Sequence, residues 1–171
     1  MGRVRHLVRR FVTSVRGRSP DEADERWARS LLTDAEIGLW GRMSPTDRAH
    51  AVEVARRTAA QLDEPTVLAA ALLHDVGKVE ADAGVAVRVV ATVLDPLISA
   101  RRAARLAERS GPVAAVGRQL GYPARGAALL ADAGSARLVI QWAAEHHLPK
   151  QRWTVAADVG EILQGADNAS R

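Results

Sequence analysis

Apolar residues recur along this 171-residue chain at intervals of three and four, the spacing that is typical of amphipathic helices. No stretch shows the strict alternation of apolar and polar residues that indicates a half-buried strand. Short connections containing proline, glycine and helix-capping residues separate the apolar stretches. We therefore predict an all-α fold, a compact multi-helix bundle.

Helix-start signals place the first elements. Ser19-Pro20-Asp21, Thr33 with Glu36 at capping-box spacing, and Ser44-Pro45 each combine capping residues with early proline or acidic residues. They predict helices over about 20–32, 34–43 and 45–62. Later apolar patterns predict helices over about 66–76, 85–109 with a kink, 113–120, 124–132, 135–146 and 155–168. The apolar part of 85–109 is too short for a membrane span and is interrupted by charged residues and a proline.

The composition is that of an ordinary globular protein, with 47% hydrophobic and 26% charged residues. Length and composition predict a single helical domain over residues 19–171. Cysteine is absent, which excludes disulfides and thiolate metal sites, so a metal would use imidazole and oxygen ligands. The net charge is only +4 and no base-reading motif is visible, so we expect no nucleic-acid partner.

Residues 1–18 form a separate basic segment that carries many arginines and no acidic residue. Its apolar residues share one helical face, so we predict a basic amphipathic N-terminal helix. Docking of this helix on the domain is the favoured interpretation, and peripheral contact with a membrane is the alternative. Arg9-Arg10 resembles a twin-arginine signal, but no apolar core follows it, so we expect a cytoplasmic protein.

The most informative stretch is Ala69–Lys78, where an apolar helical run ends on His74 and Asp75. We predict that Gly77 ends this helix by adopting the left-handed conformation. Burial of a carboxylate at the end of such a helix is unfavourable unless a cation or a hydrogen-bond donor compensates its charge. A metal ion is a suitable partner for an adjacent imidazole and carboxylate.

Other residues of the same types occur on neighbouring helices. His50 precedes the His74-Asp75 pair by about one helix, and Asp167 lies on the last helix. A lone histidine, an adjacent His-Asp pair and a distant aspartate in this order resemble the HD-domain superfamily of metal-dependent phosphohydrolases. The resemblance extends from roughly residue 35 onward. It implies a helical HD-domain bundle in which His50, His74, Asp75 and Asp167 ligate one divalent cation (Mn, Fe, Co, Zn or Mg).

Further roles follow from the resemblance. Asp75 would act as a base toward the attacking water, and Lys78 would take part in catalysis by binding the substrate phosphate as a point charge. Arg57 is a weaker phosphate-binding candidate, since an exposed helix arginine explains it equally well. Glu53 would orient His50 or the water.

His146 and His147 resemble additional histidines that bind substrate phosphate or a second metal in many members of the superfamily. Members with two metals usually carry a further histidine, and Tyr122 is the residue nearest its expected position. This difference favours a single metal. The resemblance thus implies hydrolysis of a small phosphate monoester, with a nucleotide as one possibility. The alternative is a metal-binding regulatory or scaffold module with little or no catalysis, motivated by the small size of the chain.

Overall fold

The computed structural model describes residues 19–80 and 100–170, together with residue 87, and contains helices and no strand in these ranges. This confirms the predicted all-α fold. The residues described include nine α-helices: α1 (Glu22–Ser30), α2 (Asp34–Arg42), α3 (Pro45–Ala59), α4 (Pro65–Leu73), α5 (Ala100–Ala107), α6 (Gly111–Leu120), α7 (Tyr122–Asp132), α8 (Arg137–Glu145) and α9 (Ala157–Ala169). Two short 3-10 helices, Val76–Glu80 and Lys150–Arg152, connect them.

Helices α2 and α3 begin at the capping residues that the sequence analysis identified. Thr33 and Glu36 form a reciprocal capping box at the start of α2, because each side chain bonds to the backbone of the other residue. The Ser44 side chain accepts a hydrogen bond from the backbone N–H of Asp47 at 3.1 Å, ahead of Pro45 in the first turn of α3. These bonds satisfy backbone donors that a helix leaves without an internal partner.

Helix α4 is the centre of the bundle. Every residue from Val67 to Leu73 is buried, because α3 packs on one side of this helix and α8 on another. Helix α9 packs mainly against α3 and also touches α4. The end of α4 therefore lies where three other helices can present side chains to it.

The 3-10 helix Val76–Glu80 packs against α7 at unusually close range. A Cβ atom added to Gly77 would lie 1.9 Å from the backbone oxygen of Tyr122 and 2.7 Å from the backbone nitrogen of Gly126. The left-handed conformation predicted for Gly77 is wrong, because the glycines with positive φ in the described ranges are Gly111 and Gly134. Gly77 is required for close backbone packing, and α4 ends at Leu73.

The other boundaries differ from the predictions mostly at helix ends, where capping and fraying decide the last turn. The sequence pattern predicted that α3 continues to residue 62, whereas the helix ends at Ala59. The sequence pattern predicted that α8 begins at residue 135, whereas the helix begins at Arg137. Most of the predicted helix over 85–109 and the whole N-terminal segment 1–18 lie outside the described residues. No helix in the described ranges is both long enough and apolar enough to cross a membrane.

Candidate metal centre

His50 and Asp167 come together although they are 117 positions apart in the chain. His50 lies on α3 and Asp167 on α9, and the packing of these two helices brings His50 Nε2 within 3.0 Å of Asp167 Oδ1. The Asp167 side chain is nearly buried, whereas that of His50 keeps about a quarter of its surface exposed. The pair therefore has one side that solvent can reach.

His74 directs one ring nitrogen into the same region. Its Nδ1 atom lies 2.8 Å from the backbone carbonyl oxygen of Ala71, one turn earlier. A carbonyl only accepts hydrogen bonds, so Nδ1 carries the hydrogen and Nε2 faces away from the helix. The His74 ring centroid lies 5.6 Å from that of His50. The helix backbone thus orients His74 in the manner that is common for metal-binding histidines.

Charge decides the protonation of His74. Burial by itself lowers the pKa of this ring, but the negative charges of Asp75 and Asp167 and the hydrogen bonds to Asp75 and Ala71 outweigh burial. The pKa of His74 therefore lies above its ordinary value. This region of the protein stabilises positive charge, which suits a cation.

Asp75 is buried between the Lys78 ammonium group and two imidazole rings. Its carboxylate contacts the Lys78 ammonium group, and it lies 3.4 Å from His74 Nε2 and 3.6 Å from His146 Nε2. Burial raises the pKa of this carboxyl, but the charges of Lys78 and His74 and a hydrogen bond from His74 hold it well below the usual range. Asp75 is therefore a carboxylate at neutral pH, able to accept hydrogen bonds or to ligate a cation.

His146 and His147 follow the end of α8 and meet Tyr122 at the start of α7. The Tyr122 hydroxyl lies 3.2 Å from His146 Nε2 and is hydrogen-bonded to His147 Nε2. His146 is buried, which lowers its pKa from the ordinary value even though the nearby Asp75 carboxylate opposes the shift. The predicted substrate-binding histidines thus lie next to Asp75.

The ligand-forming side chains fall into two neighbouring groups, which we name the His50 group and the His146 group. The His50 group consists of His50, His74 and Asp167, and the His146 group consists of Asp75, His146 and His147. Within each group the possible ligand atoms lie within 4.8 Å of one another. The four ligands implied by the sequence pattern therefore come from both groups, which adjoin where Asp75 meets His74.

The donor chemistry of the His50 group fits a divalent cation. Its two imidazoles and one carboxylate are the ligand types that zinc, iron, manganese and similar ions take in proteins, at about 2.0–2.2 Å from the ion. Atoms that surround one ion at this distance are about 3–4 Å apart, so the observed spread needs little adjustment. Three protein ligands leave coordination positions open for water and substrate.

Lys78 lies at the rim of this site, on the 3-10 helix that follows Asp75. Its ammonium group contacts Asp75 and lies 3.8 Å from Asp47 Oδ1, and 23% of its side chain is exposed. It can therefore meet an anion that enters from solvent without leaving its buried carboxylate partner.

Arg57 and Glu53 lie on α3, below His50. They bond to each other at 2.9 Å, and both side chains are well exposed. Within the described ranges Glu53 makes this bond and none with His50. The orienting role of Glu53 and the phosphate-binding role of Arg57 remain predictions.

Sequence reasoning did not predict the contact of Tyr122 with His146 and His147 or that of Asp47 with Lys78. In the sequence Tyr122 stood out only as a difference from the two-metal pattern. Tyr122 is the first residue of α7, and its contact with His146 depends on how α7 packs against α8.

The comparisons with known proteins agree with this geometry. The family model of the HD domain matches residues 48–170, a range that includes every member of both groups. Searches of curated proteins and of solved structures gave no match. Because the family model matches well over half of the chain and the His and Asp side chains come together as its pattern implies, the chain belongs to the HD-domain family, within the superfamily of metal-dependent phosphohydrolases.

Proposed function

We propose that this protein hydrolyses a small phosphate monoester, a nucleotide being one candidate, with a single divalent cation. The observation that carries the proposal is the convergence of His50, His74 and Asp167 beside an ionised Asp75 and a cationic Lys78. When bound, a divalent cation supplies Lewis acidity toward a phosphoryl oxygen and lowers the pKa of its water. The proposed ligands are His50, His74 and Asp167, with Asp75 at the border between the two groups.

Asp75 has the charge and the position to hold the attacking water. A buried carboxylate with a lowered pKa is a weak base, so its main contribution is to accept a hydrogen bond from the water and orient it. Its contacts with His74, His146 and Lys78 keep the carboxylate in place. A carboxylate held in place in this way can fix the orientation of the attacking water, and such orientation contributes strongly to the rate of enzymatic reactions.

Lys78 and His147 are the side chains that we propose bind the substrate phosphate. Lys78 is a partly exposed point charge next to the site and suits a phosphate oxygen. His147 is exposed beside the buried His146, so its ring can meet an anion that approaches from solvent. These side chains would bind the phosphate while the rest of the substrate remains outside the cluster.

The test is hydrolysis of a panel of phosphate esters and nucleotides by the purified protein, after its metal content has been measured. We expect turnover of at least one ester that requires a divalent cation and is lost in Asp75→Asn. Asp132→Asn is the matched control, because Asp132 is an exposed aspartate on α7. A metal-loaded protein that hydrolyses no member of the panel would favour the regulatory or scaffold module instead.

A further inference from the structure

Tyr122 is the one tyrosine of the chain and lies against the ligand atoms of the His146 group. The residue is buried, and its hydroxyl meets the Nε2 atoms of both His146 and His147. A phenol in this position competes with a cation for the same nitrogens.

The hydrogen-bond partners of His146 and Tyr122 determine which atoms carry the hydrogens. His146 Nδ1 lies 3.2 Å and 3.1 Å from the carbonyl oxygens of Trp142 and Ala143, which only accept hydrogen bonds. Nδ1 therefore carries the hydrogen, and Nε2 of the neutral ring is the acceptor. The phenol donates its single proton to His146 Nε2, so it accepts the hydrogen that His147 Nε2 donates.

This arrangement opposes coordination by the His146 group. A metal ligand needs a nitrogen lone pair, but the Tyr122 proton occupies that of His146 Nε2, and His147 Nε2 carries a hydrogen. A cation would have to break the bonds between the phenol and the two histidines, which is unfavourable.

The surrounding backbone holds Tyr122 in place. Its carbonyl oxygen lies so close to Gly77 that a Cβ at that position would overlap it, and the ring lies 5.4 Å from Lys78 Nζ. The 3-10 helix that presents Lys78 therefore also fixes the residue that faces the two histidines.

We propose that Tyr122 prevents the His146 group from taking a second cation. The inference rests on the proposed function only in that the His50 group holds the cation used for hydrolysis. In this view the phenol keeps both histidine Nε2 atoms in hydrogen bonds, and it determines the metal stoichiometry of the protein.

The test compares wild type with Tyr122→Phe, which removes the hydroxyl and keeps the ring. Both proteins are equilibrated with Co²⁺ alone and freed of excess ion. The bound cobalt is then counted by elemental analysis, and thermal melting verifies that both proteins are folded. We expect Tyr122→Phe to bind about one more equivalent than wild type, because the His146 lone pair becomes available. The double variant Tyr122→Phe/His146→Ala should lose that extra equivalent.

Equal cobalt content in wild type and Tyr122→Phe would overturn the inference. So would a rise in tyrosinate absorbance when cobalt is added to wild type, since Tyr122 would then be a ligand. The proposed function fails separately, if wild type with bound cation hydrolyses no ester, and that result leaves the comparison of stoichiometries valid.

Discussion

The bond between His50 Nε2 and Asp167 Oδ1, 3.0 Å long, joins the third helix of the described chain to the last. It ties α3 to α9 on one side of the buried α4. A cation bound by both residues would cross-link the same helices, so metal binding and folding stability should be coupled.

That coupling gives the first prediction, which concerns Asp167→Asn. A divalent cation at 100 times its dissociation constant stabilises the native state by about 2.7 kcal/mol, which for a domain of this size raises Tm by about 5–10 °C. We expect this rise in wild type. It should be nearly absent in Asp167→Asn, because the amide is a poor ligand and cation affinity should fall at least about 100-fold. Thermal denaturation with and without Mn²⁺ measures the rise in Tm in wild type and in Asp167→Asn.

Asp132→Asn serves as the control for that measurement, since it removes an exposed carboxylate that belongs to neither group. It should keep the full rise in Tm. A rise of equal size in Asp167→Asn would show that the cation binds elsewhere.

The second prediction concerns the pH dependence of cation binding. The pKa of His74 is raised, so without a cation the ring stays protonated to higher pH than an ordinary histidine. A ligand must be deprotonated, and each pH unit below that pKa should weaken binding about tenfold. Asp75 adds no such dependence near neutrality because its pKa is lowered.

Calorimetric titration with Mn²⁺ between roughly pH 6 and pH 8 measures this effect. The dissociation constant should fall as pH rises and level off above the pKa of His74. Titrations in buffers of different ionisation enthalpy should show proton release at the acidic end. Affinity independent of pH, without proton release, would contradict His74 as a ligand.

The third prediction uses the two lysines of the chain as a matched pair. Lys78→Met should lower kcat/KM for a phosphate ester about 100-fold, because a positioned cationic group is lost. Without the Lys78 charge the pKa of Asp75 rises, so the acidic limb of the activity profile should move to higher pH. Steady-state kinetics across pH measures both effects.

Lys150 is half-exposed and lies on the other 3-10 helix, paired with Glu161. Lys150→Met should change kcat/KM by no more than about twofold. Equal losses in the two variants would mean that Lys78 contributes only to general surface charge.

The fourth prediction tests the close packing at Gly77. Gly77→Ala forces a Cβ into the backbone of Tyr122 and Gly126, which cannot yield as a flexible side chain would. We expect a loss of about 3 kcal/mol or more in the free energy of unfolding, measured by urea denaturation. Cation affinity should fall as well, because the same turn follows Asp75.

Gly38→Ala is the control, since Gly38 lies within α2 and a Cβ there would meet nothing within 4 Å apart from its chain neighbours and the backbone of its own helix. Alanine there should stabilise the protein by about 0.5–1 kcal/mol. If Gly77→Ala caused no loss of stability, the close approach of the 3-10 helix to α7 would be disproved.

Local rules explain why much of the helical framework was predictable. Thr33 with Glu36 and Ser44 with Pro45 mark helix starts through bonds that span three residues, so the sequence contains all the partners. The ends of α3 and α4 were predicted less well. The sequence pattern treats residues 74–76 as one more turn of α4, whereas packing of the next turn against α7 ends the helix at Leu73.

The sequence by itself determined the all-α class, the HD-domain pattern and the candidate ligands, because these depend on residue types and their order. Only the tertiary structure decided how those ligands divide. It places Asp167 with His50 and His74, and it places Asp75 with His146 and His147. It also reveals that Gly77 serves close packing and that Tyr122 bonds to two histidines. The physical reason is that these contacts join helices far apart in the chain, and their distances are set by side-chain packing between helices rather than by local sequence.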